Sequence, residues 1–559
     1  MHRALQIQEV LEIIIKFAVG GDVEVFRTSA SLALTCKVFK SPALDVLWAR
    51  QSSLVPLFKT ISKDDQSRID WGRFDEYAAR VRSLCLDRNF QTGLADNEGI
   101  LWLDVLSSRG RNCFPRLRQL DWQDNTWQDN TSYRHIRLFL GPSLVEFNWR
   151  LRGDFTTQDQ LHNVVEQIRA LRDLCPYIEI FYLHHGSRSV PQAFQSEGAA
   201  TVAAAFTDLA MDLRYLRQFT AEECSLPLSR AAFGPVSLYP SLTNLTVNFA
   251  SGFLDALPVA QARFPVLRHI NIGVHTLAEF TSVLRMAQSR MRLACARLGE
   301  CPTAAAVQAT VETFRDHDTL AAVESLVIIY REKVPQDSPA YIPRAETFIP
   351  RASTFRPPLS LNLTDFCISL DGVTLDLDND LLRDMAMAWP NLVWLEILGQ
   401  PPYDDWAECQ VTLDGLFPLF VNCKKLEYLS VYINGRVDPH ASGIWRSHLF
   451  SRSNSNIQIH FGRSVIHAQN VRSAAEFLHD IFPALTEITV DWDNIHGIYG
   501  PEWAKVVSLL AEWVANTAGE DDDTADEVEG ISDDAEITSD EDEDTSDEDG
   551  STDEDETWS

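Results

Sequence analysis

Twelve times between residues 80 and 515 the chain repeats a short pattern, apolar-x-x-apolar-x-apolar, and that repetition constrains the fold more than any other feature. Its alternating second half suits a strand with one face buried. The copies begin with Val81-Leu84-Leu86, Leu117-Leu120-Trp122, Leu144-Phe147-Trp149 and Ile178-Phe181-Leu183. Next come Leu216-Phe219 (with only Ala221 in third place), Leu242-Leu245-Val247, Leu267-Ile270-Ile272 and Val323-Leu326-Ile328. The last are Leu363-Phe366-Ile368, Leu392-Leu395-Ile397, Leu426-Leu429-Val431 and Leu485-Ile488-Val490. One copy is any half-buried strand; twelve in order imply an array.

In seven copies a proline stands two residues before the first apolar position: Pro115, Pro142, Pro176, Pro240, Pro265, Pro390 and Pro483. Proline disfavours continuing an upstream helix and drives its predecessor toward extended backbone. Each unit therefore reads as helix, stop, strand. Leu161, Val164, Val165, Ile168 and Leu171 have helical spacing before Pro176, as do Leu382, Met385 and Trp389 before Pro390. Such units cannot bury their faces singly and stack into a solenoid. Spacing is uneven: Leu242 and Leu267 stand 25 residues apart, Leu267 and Val323 stand 56 apart. Residues 332–358 hold six prolines and few apolar anchors, so a long exposed loop is expected there.

Residues 1–55 read as three short helices. Ile7, Val10, Leu11 and Ile14 form one stripe that Phe17 and Ala18 extend, and Gly20-Gly21 ends the helix. Leu32, Cys36 and Phe39 make a second stripe; Ser41-Pro42 suits the start of a third helix bearing Leu44, Leu47 and Trp48. So small a unit needs support, from a partner or from the next domain. The expected division is a helical domain at 1–55, a linker at 56–79, the solenoid at 80–515 and a disordered acidic tail at 516–559.

From Gly519 to Ser559 there are 22 Asp and Glu and no Lys or Arg; of the formal charge of −32, the body keeps −10. Such a body offers no field for nucleic-acid phosphates. The tail is too polar to offset the entropy of ordering. Thr538, Ser539, Thr545, Ser546, Ser551 and Thr552 each have a carboxylate three residues on, a pattern that resembles acidophilic kinase targets, although any hydroxyl in so acidic a run meets it. No apolar run approaches the roughly 18–20 residues that span a bilayer. Glu9 and Glu12 break the apolar run after Met1, so no secretory leader and no membrane are expected. Ten scattered cysteines without a C-x-x-C pair suit small hydrophobes in a reducing, intracellular setting, cytoplasmic or nuclear.

No phosphate loop, zinc-protease or nucleophile-elbow motif occurs, so no enzyme and no cofactor are expected. His184-His185 would point to opposite faces of a strand, and Asp404-Asp405 reads as a solvated turn. Trp122, Trp149 and Trp394 could form an aromatic strip, though the first two share one pattern position and suit a core equally.

The repeat pattern resembles leucine-rich repeats, and Asn89, Asn125 and Asn434 stand where that family places a turn asparagine. The opening Leu5-Gln6-Ile7-Gln8-Glu9-Val10-Leu11, then Cys36-Lys37-Val38-Phe39, then Leu47-Trp48 resembles an F-box, with Gln8 where the family has proline. Together they resemble fungal F-box/leucine-rich-repeat proteins over nearly all but the tail. The resemblance implies an α/β fold: a three-helix F-box, then an irregular α/β solenoid. It implies an adaptor that joins a target protein, of unknown identity, to the Skp and cullin-RING subunits of a ubiquitin ligase. The Skp-facing residues carried over are Leu5, Ile7, Val10, Leu11, Ile14, Cys36, Phe39, Leu47 and Trp48. A repeat scaffold outside any ligase, with a tail that binds basic proteins, is the alternative.

Overall fold

The fold is a single parallel sheet whose strands succeed one another in chain order. The computed structural model describes residues 8–18, 24–61, 71–86, 98–109, 112–123, 135–151, 158–185, 197–221, 227–254, 263–331, 352–371, 373, 375–399, 409–437, 457–462, 464, 466–482, 485, 488–490 and 500–520. The first strands are β1 (Arg50–Gln51), β2 (Ser83–Leu86), β3 (Gln119–Gln123), β4 (Glu146–Leu151) and β5 (Ile180–His185). They continue as β6 (Gln218–Thr220), β7 (Asn244–Asn248), β8 (His269–Val274), β9 (Leu293–Leu298) and β10 (Ser325–Tyr330). The last are β11 (Asp365–Leu370), β12 (Trp394–Gly399), β13 (Tyr428–Val431) and β14 (Gln458–His460). Each pairs only with its sequence neighbours, in the order β1 to β14.

The register carries the sequence pattern onto the sheet. Leu84, Leu120, Phe147, Phe181, Phe219 and Leu245 stand beside one another on successive strands. These residues are buried, while the alternate positions of β2, β7, β8 and β10 are part-exposed. Eleven of the twelve sequence copies are strands; the twelfth contributes an isolated bridge, His460 to Thr489.

Three strands have no counterpart among the copies: β1, β9 and β14. The last two fill the longest gaps, so the array is more regular than the spacing implied. First strand positions are 24 residues apart at the closest (His269 to Leu293) and 40 at the widest (Ser325 to Asp365).

The prolines do more than stop helices. The Leu117 amide donates to the Phe114 carbonyl, Leu144 to Gly141 and Leu392 to Trp389, over 3.0–3.1 Å. Pro115, Pro142 and Pro390 thus sit second in four-residue turns, where a fixed φ near −65° is wanted. Cys423 to Leu426 closes the same turn without proline.

Helices back the sheet's buried side, and one core extends from Leu44 to Leu510. Two differences from expectation matter. Residues 56–79 were expected as a linker. Instead, helices Val55–Ile61 and Trp71–Ala78 place Leu57, Phe58, Phe74 and Ala78 in that core. The proline-rich stretch was expected to be exposed throughout. Yet Ala352–Phe355 and Pro357–Ser360 are short 3-10 turns packed beside the helix layer, with Phe355 and Pro358 buried; residues 332–351 lie outside the described part. The last helix, Gly500–Glu520, runs beyond the expected start of the tail, and 521–559 are not described.

Candidate docking surface

The first three helices are α1 (Gln8–Ala18), α2 (Glu24–Thr35) and α3 (Lys37–Ala49). Ser41 and Pro42 do not start α3: Cys36 is its N-cap and Pro42 lies inside it. Proline withholds one amide from the carbonyl four residues back. Here that residue is Val38, 42% exposed, where water can reach the backbone.

One face of this module is used internally. Ile15 of α1 meets Ala43 of α3, with Leu32, Ala33 and Val46 around them. Leu11, one turn before Ile15, is 1% exposed. Leu44 and Trp48 belong to the array's own core, and Leu47, half-buried, packs against it. Trp48 stacks on Tyr77 with ring centroids 4.8 Å apart. Arg80, at the first full repeat, pairs with Asp45 and donates to the Ser41 carbonyl at 3.2 Å. The module is therefore fastened to the solenoid by packing and by charge.

These positions correct the predicted docking set. Leu11 and Trp48 are interior, because the apolar residues of α1 and α3 serve packing before anything else. Leu5 and Ile7 lie outside the described residues. Val10, Cys36 and Phe39 are half-buried, and Ile14 is 43% exposed. The expected single stripe on α1 splits in two, with Leu11 and Ile15 inward and Ile13, Ile14 and Phe17 outward. Phe17 is 84% exposed; so, at 87%, is Leu34 near the end of α2. All three helices thus leave apolar side chains in water, three on α1 and one each on α2 and α3. Of these outward residues only Ile14 was in the predicted set; Ile13, Phe17, Leu34 and Val38 were absent from it. An α1 apolar on more than one side was the signal for Ile13 and Phe17; Leu34 and Val38, on α2 and α3, carried none.

Elsewhere the alternatives narrow. Trp122 and Trp149 stand side by side in register and are buried, so they are core. Trp394 is on the other face, 39% exposed, stacked on Tyr428 at 3.8 Å. His184 and His185 both lie in β5, and no metal-binding group occurs among the described residues. Asn434 is buried, its amide donating to the Val411 carbonyl at 2.7 Å; Asn89, Asn125, Asp404, Asp405 and the hydroxyls Thr538, Ser539, Thr545, Ser546, Ser551 and Thr552 lie outside the described residues. Burial pushes the Cys175 and Cys423 thiols up to about 12, which suits packing and not nucleophilic use. No described helix is long and apolar enough to cross a membrane.

No family model matches the chain, and no curated protein does. Among solved structures, the crystal structure of the Rad7 and Elc1 complex in yeast aligns over 89% of this chain and 91% of that one. Identity is 11% and the TM-score 0.29, too low to bear on the function of this chain.

Proposed function

We infer that the chain is a substrate-recognition adaptor of an SCF-type ubiquitin ligase: its N-terminal helices hold a Skp-class adaptor and its repeats hold the target. The observation that carries this reading is the set of apolar side chains left outside on a module whose inner face is already occupied. Ile13, Ile14, Phe17, Leu34 and Val38 supply it, and apolar anchors of this kind provide most of the affinity of a protein interface. The F-box resemblance falls on the same helices. On this reading the chain does no chemistry of its own; it raises the local concentration of the target beside the transfer machinery.

A second reading is favoured by Leu44 and Trp48, which merge with the solenoid core as a cap would: a repeat scaffold outside any ligase. Leu11→Asp would not separate the two, because a buried charge there would unfold the module. Phe17→Asp and Leu34→Asp do, since both side chains are exposed. Capture of Skp and cullin subunits by the full chain should fall at least about tenfold, the loss of a hot spot worth roughly 1.4 kcal/mol or more, with the melting curve unchanged. Capture unaffected by both substitutions leaves the scaffold reading standing.

A further inference from the structure

Immediately before each strand, the backbone adds one more row to the ladder. The Arg118 amide donates to the Arg82 carbonyl, Arg217 to Glu179, Arg268 to Thr243 and Arg292 to Arg268, each at 2.7–2.8 Å. These residues therefore stand side by side along the leading rim of the sheet. From Arg82 to Arg292 the row has eight members, of which five are arginine and one, Glu179, is acidic. From Glu324 to Glu427 it has four, two of them glutamate and none basic. The rim is cationic over its N-terminal two-thirds, on a body whose net charge is −10.

Exposed arginines need no partner in water, and this row is only partly neutralised. Arg217 lies 3.6 Å from Glu179 and Arg292 4.0 Å from Glu324, all four side chains well exposed. Arg82, Arg118 and Arg268 are exposed and make no ion pair among the described residues. The cations are felt by their neighbour: His269 sits below its ordinary pKa through burial first, then through Arg292 and Arg268. Eight rows about 4.8 Å apart span roughly 34 Å, the length of about ten extended residues.

We propose that this arginine rim is the intramolecular dock for the chain's acidic C-terminus, centred on Asp540–Asp549, which places eight carboxylates in ten residues. The last described helix ends at Glu520, beside the C-terminal repeats. The twenty residues to Asp540 can reach roughly 66 Å when extended, against about 24 Å for the five strand spacings from β14 back to β9. A docked tail shields the rim from other acidic segments, so the device regulates what else can reach it. This inference does not depend on the adaptor reading.

The test is limited digestion of the full chain by a glutamate-specific protease, with tail fragments counted by mass spectrometry. At low salt the tail of the wild-type chain should be cut several-fold more slowly than that of Arg118→Glu/Arg268→Glu/Arg292→Glu. The gap should close at about 1 M salt, where charges are screened beyond ~3 Å. Arg383→Glu/Arg472→Glu, on helices Asn379–Ala388 and Val471–Ile481, changes the net charge by −4 against −6 for the triple variant and should leave the rate unchanged. If the triple variant fails to fold, the neutral Arg118→Gln/Arg268→Gln/Arg292→Gln chain replaces it, with the same acceleration expected. Equal cutting of wild type and rim variant, equal acceleration in the control, or protection that grows with protein concentration would each overturn the proposal.

Discussion

Tyr239 shows how single side chains hold neighbouring repeats together. Its hydroxyl donates to the Ala210 carbonyl at 2.6 Å, inside the last turn of helix Glu197–Asp212. The last four carbonyls of a helix lack intrahelical donors, so this phenol satisfies one of them from the next unit. Tyr239→Phe keeps the ring and leaves a buried acceptor bare, which should cost about 1–3 kcal/mol. Burial holds the phenol up at about 12, against an ordinary 10.0. A group whose folded pKa is raised gives stability that is complete below the unfolded value and lost above it. The contribution of Tyr239 is therefore whole below pH 10 and vanishes as pH climbs toward about 12. Urea unfolding of both chains at pH 8 and pH 11 checks this: the gap between them should shrink at pH 11, and a gap of constant size contradicts the assignment.

Among the elements, helix Leu277–Met286 is the most explicitly started. Thr276 accepts from the Glu279 amide, while the Glu279 carboxylate takes amides from His275 and Thr276 at 3.0 Å and from Gly252, one repeat earlier, at 2.7 Å. Gly252 has φ of 66°, a conformation glycine adopts without strain. Thr276→Ala should cost about 0.5–2 kcal/mol, the ordinary value of a cap, whereas Glu279→Ala frees three amides in two repeats and should cost more. Thermal melts of the two variants rank them, and equal losses would reduce Glu279 to a local cap. The same scale shows what the sequence could reveal. Strands with large core residues, such as Phe147 and Trp149 in β4, were legible because alternation and size coincide. Strand β9 was not, because Ala294 and Ala296 occupy two of its three core positions, ahead of Leu298, and carry almost no hydrophobic signal. Neither was the true start of α3, since Ser41-Pro42 imitates a cap while tertiary packing extends the helix upstream. At the N-terminal module, periodicity located α1 as a helix but could not say which of its two apolar sides α3 would cover.

For the whole molecule, that alanine pair has a mechanical consequence. In a stack where each repeat touches mainly its neighbours, stability is carried from unit to unit by the interfaces between them. Leu84 through Ile270 supply a large side chain at nearly every row, whereas at β9 the row narrows to Ala294 between Ile270 and Leu326. In the helix layer there, the Thr281 and Thr310 hydroxyls meet at 2.7 Å in a buried position and Arg285 donates to the Thr313 hydroxyl at 3.0 Å. Apolar burial is worth about 25 cal/mol per Å², so these rows of β9 contribute less apolar coupling than those around them, although its backbone ladders to β8 and β10 each run six residues. Leu326→Ala, at 0% exposure beside Ala294, should cost about 2–5 kcal/mol and also thin this seam further. Phe147→Ala should cost a similar amount inside a thick region. Unfolding in urea, followed by far-ultraviolet circular dichroism and by tryptophan fluorescence, distinguishes a weak seam from uniform coupling. With Phe147→Ala the two signals should move together at lower denaturant. With Leu326→Ala they should separate into two transitions, one half melting while the other persists, as coincidence of probes is what a single cooperative unit requires. A single coincident transition in Leu326→Ala would mean that the alanine row transmits stability as well as any other.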